Sequence, residues 1–186
     1  MIFILADDLG WADLSVYGQT EYETPHLDRL AAQGVRFTQA YANSAVCSAT
    51  RFALMTGRYQ YRLPGGLEEP LRGAGNHMGL PPEHPTLPSL LKGMGYSTAL
   101  IGKWHLGNLP NYGPLKSGYD YFFGNYGGAI DYFTHKPGVD ADARSDLYEG
   151  EVPVERAGYY TQILADASSQ YIDNHIRQRK AHPFFL

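Results

Sequence analysis

Ile2-Phe3-Ile4-Leu5 is an unbroken apolar run that stops at Asp7 and Asp8. Continuous apolar character over so short a stretch predicts a central parallel strand covered on both faces, with the carboxylates at its C-terminal end. The spacing of Leu27, Leu30 and Ala31 predicts a helix from about Pro25, with Thr24 as N-cap and Gly34 closing it. Val35 to Tyr41 predicts a second strand, so this stretch reads as strand–helix–strand with a right-handed crossover.

The pattern continues with a helix from near Cys47 to Thr56, closed by Gly57. Residues 59–85, carrying Gly65, Gly66, Gly73, Gly75, Pro81 and Pro82, read as an ordered surface loop. Leu87 to Lys92 predicts a third helix entered through Thr86, and Tyr96 to Ile101 a third strand. Residues 107–155, rich in Gly and Tyr, show no assignable period. A long amphipathic helix follows from about Tyr159 to Arg179, with Ile163, Leu164, Ala167, Tyr171 and Ile172 toward the core. Arg177, Arg179 and Lys180 fall in or just past its last turn, where cations suit the helix dipole. The fold class expected is α/β, with a mostly parallel central sheet and helices on both faces. The chain opens inside an apolar strand and stops at Pro183-Phe184-Phe185-Leu186, which reads as the start of another. The expectation is therefore a truncated domain, the N-terminal piece of a longer protein.

Composition narrows the class. A chain of 186 residues, 44% hydrophobic and only 18% charged, can bury a core and is not a disordered polyelectrolyte. Its formal charge of −4, with no basic cluster, argues against nucleic acid as partner. The single cysteine, Cys47, excludes an internal disulfide, so the compartment cannot be read from bridges. No apolar run is long enough to span a membrane, and the opening run lacks the features of a signal peptide.

Three groups could carry chemistry. Asp7 and Asp8 at a strand's C-terminal end lie where α/β sheets bind ligands, and two adjacent buried carboxylates call for a cation. Oxygen donors favour Ca²⁺ or Mg²⁺, although such a pair taken alone more often just caps a solvated turn. Cys47 at a helix N-terminus, with Arg51 one turn along, sits in a positive local field that suits an anionic nucleophile or substrate. Taken alone, a lone cysteine is more often a small buried hydrophobe. In Gly102-Lys103-Trp104-His105-Leu106-Gly107, extended backbone would point Lys103 and His105 to one side as an anion clamp, with Trp104 away from them. His135, in Asp131-Tyr132-Phe133-Thr134-His135, has a core-satisfied or exposed histidine as its default reading.

Together these groups resemble the sulfatase family of the alkaline-phosphatase-like superfamily. The matching residues are I-F-I-L-A-D-D-L-G-W at 2–11, T-P-H-L-D-R-L-A-A-Q-G at 24–34, C-S-A-T-R-F-A-L-M-T-G-R at 47–58 and G-K-W-H-L-G at 102–107. The resemblance spans this whole chain but only the N-terminal part of a sulfatase catalytic domain. It implies that Cys47 is converted by a formylglycine-generating enzyme to formylglycine, with Ala49 and Thr50 where Pro and Ser are commoner. A hydroxyl of the hydrated aldehyde would attack sulfur, and the second hydroxyl would expel sulfate as the aldehyde re-forms.

The resemblance further implies that Asp7, Asp8 and the modified Cys47 hold a Ca²⁺ or Mg²⁺ ion. Arg51 would steady the formylglycine, Lys103 would bind a sulfate oxygen, and His105 would hydrogen-bond the formylglycine and assist turnover. Thr134 and His135 resemble a segment near the sulfate. The implied substrate is a sulfated small molecule or carbohydrate, with no nucleic acid or membrane partner. Two aspartates and one formylglycine leave a calcium ion short of its usual six to eight oxygens. The 186 residues alone are therefore expected to be inactive or weakly active. Two alternatives stand beside this reading: a phosphodiester or phosphonate hydrolase of the same superfamily, and a non-catalytic pseudo-enzyme or binding module that keeps Cys47 as a thiol.

Overall fold

The computed structural model describes residues 1–71, 77–138, 143–178 and 181–186. Gly73, Gly75, Arg179 and Lys180 lie outside the described residues. Among the described residues the helices are α1 (Pro25–Gln33), α2 (Cys47–Thr56), α3 (Leu87–Gly93) and α4 (Tyr160–Gln178). The strands are β1 (Ser97–Lys103), β2 (Tyr121–Asn125), β3 (Leu147–Glu149), β4 (Val152–Pro153) and β5 (Phe184–Phe185). None of the helices is long and apolar enough to cross a membrane. The chain divides into two compact units, one of Met1–Phe3 with Asn43–Leu186 and one of Ile4–Ala42.

The larger unit is built on a sheet of order β4-β3-β2-β1-β5. β1 runs parallel to both β2 and β5, while β3 and β4 add as an antiparallel meander at the other edge. The β1–β2 register pairs Ala99 with Tyr121 and Lys103 with Asn125, so both strands finish together. Alternation along β2 sends neighbouring rings to opposite faces. Phe122, fully buried, joins Phe52 and Met55 of α2 together with Trp104 and Leu106. Phe123 instead meets Ile163, Leu164 and Ala167 of α4, as does Ile101 of β1. Helices thus cover both faces, as the apolar pattern requires.

Local signals account for the helix ends. α2 closes at Gly57, whose φ of 65° is left-handed and whose N–H bonds the Ala53 carbonyl. α3 starts with a reciprocal capping box between Thr86 and Ser89. Asp120 clips α3 to the sheet, accepting from Lys92 at 2.7 Å and from the Thr98 N–H at 3.0 Å. Partial burial raises its pKa, but the Lys92 and Thr98 contacts outweigh that and hold the carboxyl below its ordinary range.

Two expectations fail, both in or next to the smaller unit. Ile2-Phe3-Ile4-Leu5 is not a buried central strand: Ile4 is 82% exposed, and the other three side chains are exposed as well. Met1 and Phe3 do bond the main chain of Phe184 and Leu186, so the first residues run beside β5 without being covered. Val35–Tyr41 forms no strand either; Val35, Phe37 and Tyr41 are all exposed. Apolar runs specify strands only where a neighbouring backbone supplies a ladder and side chains supply a cover. Here neither run receives both, so the strand–helix–strand unit does not form.

α1 does form where expected, with Pro25 in its first turn. Thr24 stands at the N-cap position, but its hydroxyl makes no cap bond. It serves the preceding turn instead, accepting from the Ser15 N–H at 3.0 Å and donating to Asp28 Oδ1 at 3.1 Å. Leu27 and Leu30 of this helix are exposed.

Candidate functional site

The parallel strands β1 and β2 bring their C-terminal ends to one edge, where α/β sheets place ligand sites. α2 arrives at the same edge through a tied-down N-terminus. Val46 N–H donates to Ser44 Oγ at 3.1 Å, and Thr50 Oγ1 donates to the Ser44 carbonyl at 2.7 Å. Cys47, the first residue of α2, is half-buried, so its side chain keeps access to solvent.

Two connections join the helix bearing Cys47 to the strand end bearing Lys103 and His105. Arg51 Nη1 donates to the Lys103 carbonyl at 2.7 Å. Ser48 Oγ accepts from the Leu71 N–H at 2.8 Å, and the Leu71 carbonyl bonds His105 Nε2 at 3.0 Å. Lys103 is half-buried and His105 only 7% exposed. The expected same-side alternation of Lys103 and His105 does not hold. β1 ends at Lys103, Trp104 turns into the core, and His105 adopts a left-handed φ of 56°. Main-chain bonds from Trp104 N–H to the Asn125 carbonyl and from His105 N–H to the Tyr126 carbonyl hold this turn.

His135 and Thr134 take different places. His135 is 2% exposed, its Nε2 bonding the Gly158 carbonyl at 3.2 Å, which makes it a satisfied core histidine. Its ring lies 5.9 Å from that of Tyr160. Thr134 is exposed, and both its N–H and hydroxyl donate to Asp131 Oδ1 in a local turn. These bonds hold the Asp131 carboxyl below its ordinary range, the Thr134 N–H contributing most. Thr134 is not brought into contact with the α2–β1 edge by any of these bonds.

Asp7 and Asp8 belong to the smaller unit, where both are exposed and Asp8 has a left-handed φ of 58°. Among the described residues, no three His, Cys, Asp or Glu side chains gather as a metal site. Two adjacent carboxylates fit a hard cation by donor chemistry, while leaving most of its coordination to other oxygens.

Several supporting residues escaped the sequence reading. Asn125, 1% exposed, accepts from the Tyr160 hydroxyl at 2.6 Å and donates to the Gly127 carbonyl at 2.8 Å. Burial raises the Tyr160 pKa, and the Asp146 carboxylate adds to that, so the phenol stays a donor. Gly128 lies against His105, since a Cβ there would come within 2.5 Å of the imidazole. The Gly127-Gly128 pair straight after an aromatic run was the available signal for this close approach.

Known proteins match along the whole chain. The family model described as Sulfatase matches residues 1–186. The chain belongs to the sulfatase family. N-acetylgalactosamine-6-sulfatase of Sus scrofa is 38% identical over all of this chain and 38% of its own length. The Homo sapiens protein of that name is 36% identical with the same coverage. The chain thus spans about two-fifths of the length of these curated relatives. Among solved sulfatase folds, Ps i-CgsB superposes with a TM-score of 0.82 at 33% identity, over all of this chain and 43% of that one. BT4656, solved with its substrate D-glucosamine-2-N,6-O-disulfate, gives a TM-score of 0.77 at 28% identity, over all of this chain and 32% of that one. These sulfatases have the alkaline-phosphatase-like fold, to which the mixed sheet and its two helical layers conform.

Proposed function

We propose that the protein hydrolyses sulfate esters, with Cys47 supplying the nucleophile after conversion to formylglycine by a formylglycine-generating enzyme. The observation that carries this reading is the bonding of the Cys47 helix to the Lys103–His105 strand end through Arg51. One hydroxyl of hydrated formylglycine would attack sulfur and displace the alcohol, which leaves with a proton; the second would then lose its proton and expel sulfate as the aldehyde re-forms. Cys47 stands half-buried at a helix N-terminus, where aligned N–H groups favour developing negative charge.

Arg51, one turn after Cys47 in α2, is anchored by the Lys103 carbonyl and would steady the formylglycine and offset negative charge there. Lys103 offers an ammonium to a sulfate oxygen, and His105 serves as proton carrier at the nucleophile. By the family resemblance, Asp7 and Asp8 would hold a divalent cation, Ca²⁺ or Mg²⁺, which would supply Lewis-acid stabilisation of anionic oxygens. His135 stays in a supporting place beside Tyr160, and Thr134 is the weakest substrate contact of the set.

The substrate class follows from the relatives: a sulfated small molecule or carbohydrate, with 6-O-sulfated amino sugars the first to test. Sulfate release by the natural protein is expected from aryl sulfate or such a sugar, with little turnover of a phosphate diester, and Cys47→Ala abolishes it. Mass analysis of tryptic peptide 37–51, from cells with the generating enzyme, is expected to show CH₂–SH replaced by an aldehyde. An unmodified thiol in a fully active preparation overturns the formylglycine assignment, and preferential phosphate release overturns the sulfatase one. The 186 residues alone, with two carboxylates for the cation, are expected to turn over weakly or not at all.

A further inference from the structure

We infer that Ser48 is a positioning residue for His105, acting through the main chain of Leu71. The inference rests on His105 being the proton carrier proposed above. The two bonds lie in series: Leu71 donates its N–H to Ser48 Oγ at 2.8 Å and accepts at its carbonyl from His105 Nε2 at 3.0 Å. A carbonyl oxygen has no proton to give, so Nε2 must carry the hydrogen. In the neutral ring the lone pair is then on Nδ1, and any proton His105 takes up or gives back at the nucleophile moves through Nδ1.

The remaining packing leaves the ring little freedom to flip. Gly128 covers it so closely that a Cβ would approach Nε2 and Cε1 to 2.5 Å. The His105 main chain is pinned to the Tyr126 carbonyl at 3.1 Å. Ser48 is fully buried and follows Cys47 directly in α2. The helical turn that presents the nucleophile therefore also fixes which imidazole nitrogen is basic. This assigns a task to the second position of the Cys47-Ser48-Ala49-Thr50-Arg51 run: a short acceptor facing the Leu71 N–H.

The test reads the tautomer directly. Long-range ¹H–¹⁵N spectra of the ¹⁵N-histidine-labelled chain, at about pH 8 where an ordinary imidazole is neutral, distinguish Nε2–H from Nδ1–H rings. The His105 signals are assigned as those lost in His105→Gln. The wild type is expected to show the Nε2–H form, retained in Ser48→Thr. Ser48→Ala, and Ser48→Cys should alanine fail to fold, are expected to mix in the Nδ1–H form while the other six histidines keep their shifts. In the natural protein, Ser48→Ala is expected to lower kcat about tenfold with little change in KM, as for other orienting partners, and Ser48→Thr to restore it.

An Nδ1–H ring in the wild type overturns the inference. So does a folded Ser48→Ala or Ser48→Cys variant whose His105 signals are unmoved. Neither result depends on conversion of Cys47, so failure here and failure of the sulfatase reading are separable.

Discussion

Asp146 shows how one carboxylate can hold a loop at a cost. It accepts from the Gly127 N–H at 2.8 Å and more distantly from Tyr126 at 3.4 Å, fixing the turn that lies against His105. Burial raises its pKa, and the two N–H bonds only partly oppose this. A carboxyl with a folded pKa above its unfolded value penalises the folded state once both are ionised. That penalty is absent at low pH and sets in as pH rises from the ordinary carboxylate range through the folded value. Asp146→Asn keeps a carbonyl for Gly127 and carries no charge. Urea midpoints measured from acid to neutral pH are expected to rise in the variant relative to wild type toward neutrality. Parallel profiles for the two proteins would contradict the assignment. The carboxylate pair Asp7–Asp8, the thiol and the Lys103–His105 pair could be singled out as candidates by residue type and spacing alone. The left-handed turn at His105 could not, because it is held by main-chain bonds to Asn125 and Tyr126, each twenty-one residues further along the chain.

Among the elements, α2 and α3 could be read in advance because their ends carry local punctuation, and α4 because its apolar residues recur on one face. Thr86 is the clearest case. Its hydroxyl accepts from the Ser89 N–H at 3.2 Å and donates to the Ser117 carbonyl at 2.6 Å, capping α3 and tying it to the turn before β2. Thr86→Ala is expected to cost about 2 kcal/mol in chemical denaturation, the upper end for a cap, because a buried carbonyl also loses its donor. A loss near zero would mean that water replaces both bonds. β2 escaped notice because Tyr121-Phe122-Phe123-Gly124-Asn125 has no polar alternation and contains a glycine. The sheet explains that glycine: a Cβ at Gly124 would stand 1.9 Å from the Gly102 carbonyl oxygen. Gly124→Ala must push β1 and β2 apart, with an expected loss of about 3 kcal/mol or more and a lower thermal midpoint. Wild-type stability in that variant would show that the strands separate without cost.

Across the molecule, burial divides unevenly between the two units. The buried apolar residues Phe52, Leu80, Trp104, Phe122 and Leu147 all belong to the larger one. In Ile4–Ala42, Trp11, Leu30, Val35, Phe37 and Tyr41 are exposed, and none of its residues is classed as buried. Amide hydrogen exchange is expected to be fast across 4–42, with protection confined to α1, and slowest in β1 and β2. Equal protection in the two units would overturn that ranking. The exposed apolar positions also predict binding of a hydrophobic dye at neutral pH.

Helix ends, the sulfatase motifs and the residue types able to do the chemistry followed from the order of amino acids, because each depends on neighbours within a few positions. Which apolar runs became strands could not be so read. Tyr121–Asn125 found partners on both sides, whereas Val35–Tyr41 formed no ladder among the described residues, although both are rich in β-formers. The bonding of Arg51 to Lys103, and of Ser48 through Leu71 to His105, likewise required the fold. A backbone hydrogen bond or a close contact exists only once distant segments are fixed beside each other, and spacing along a chain does not encode that proximity.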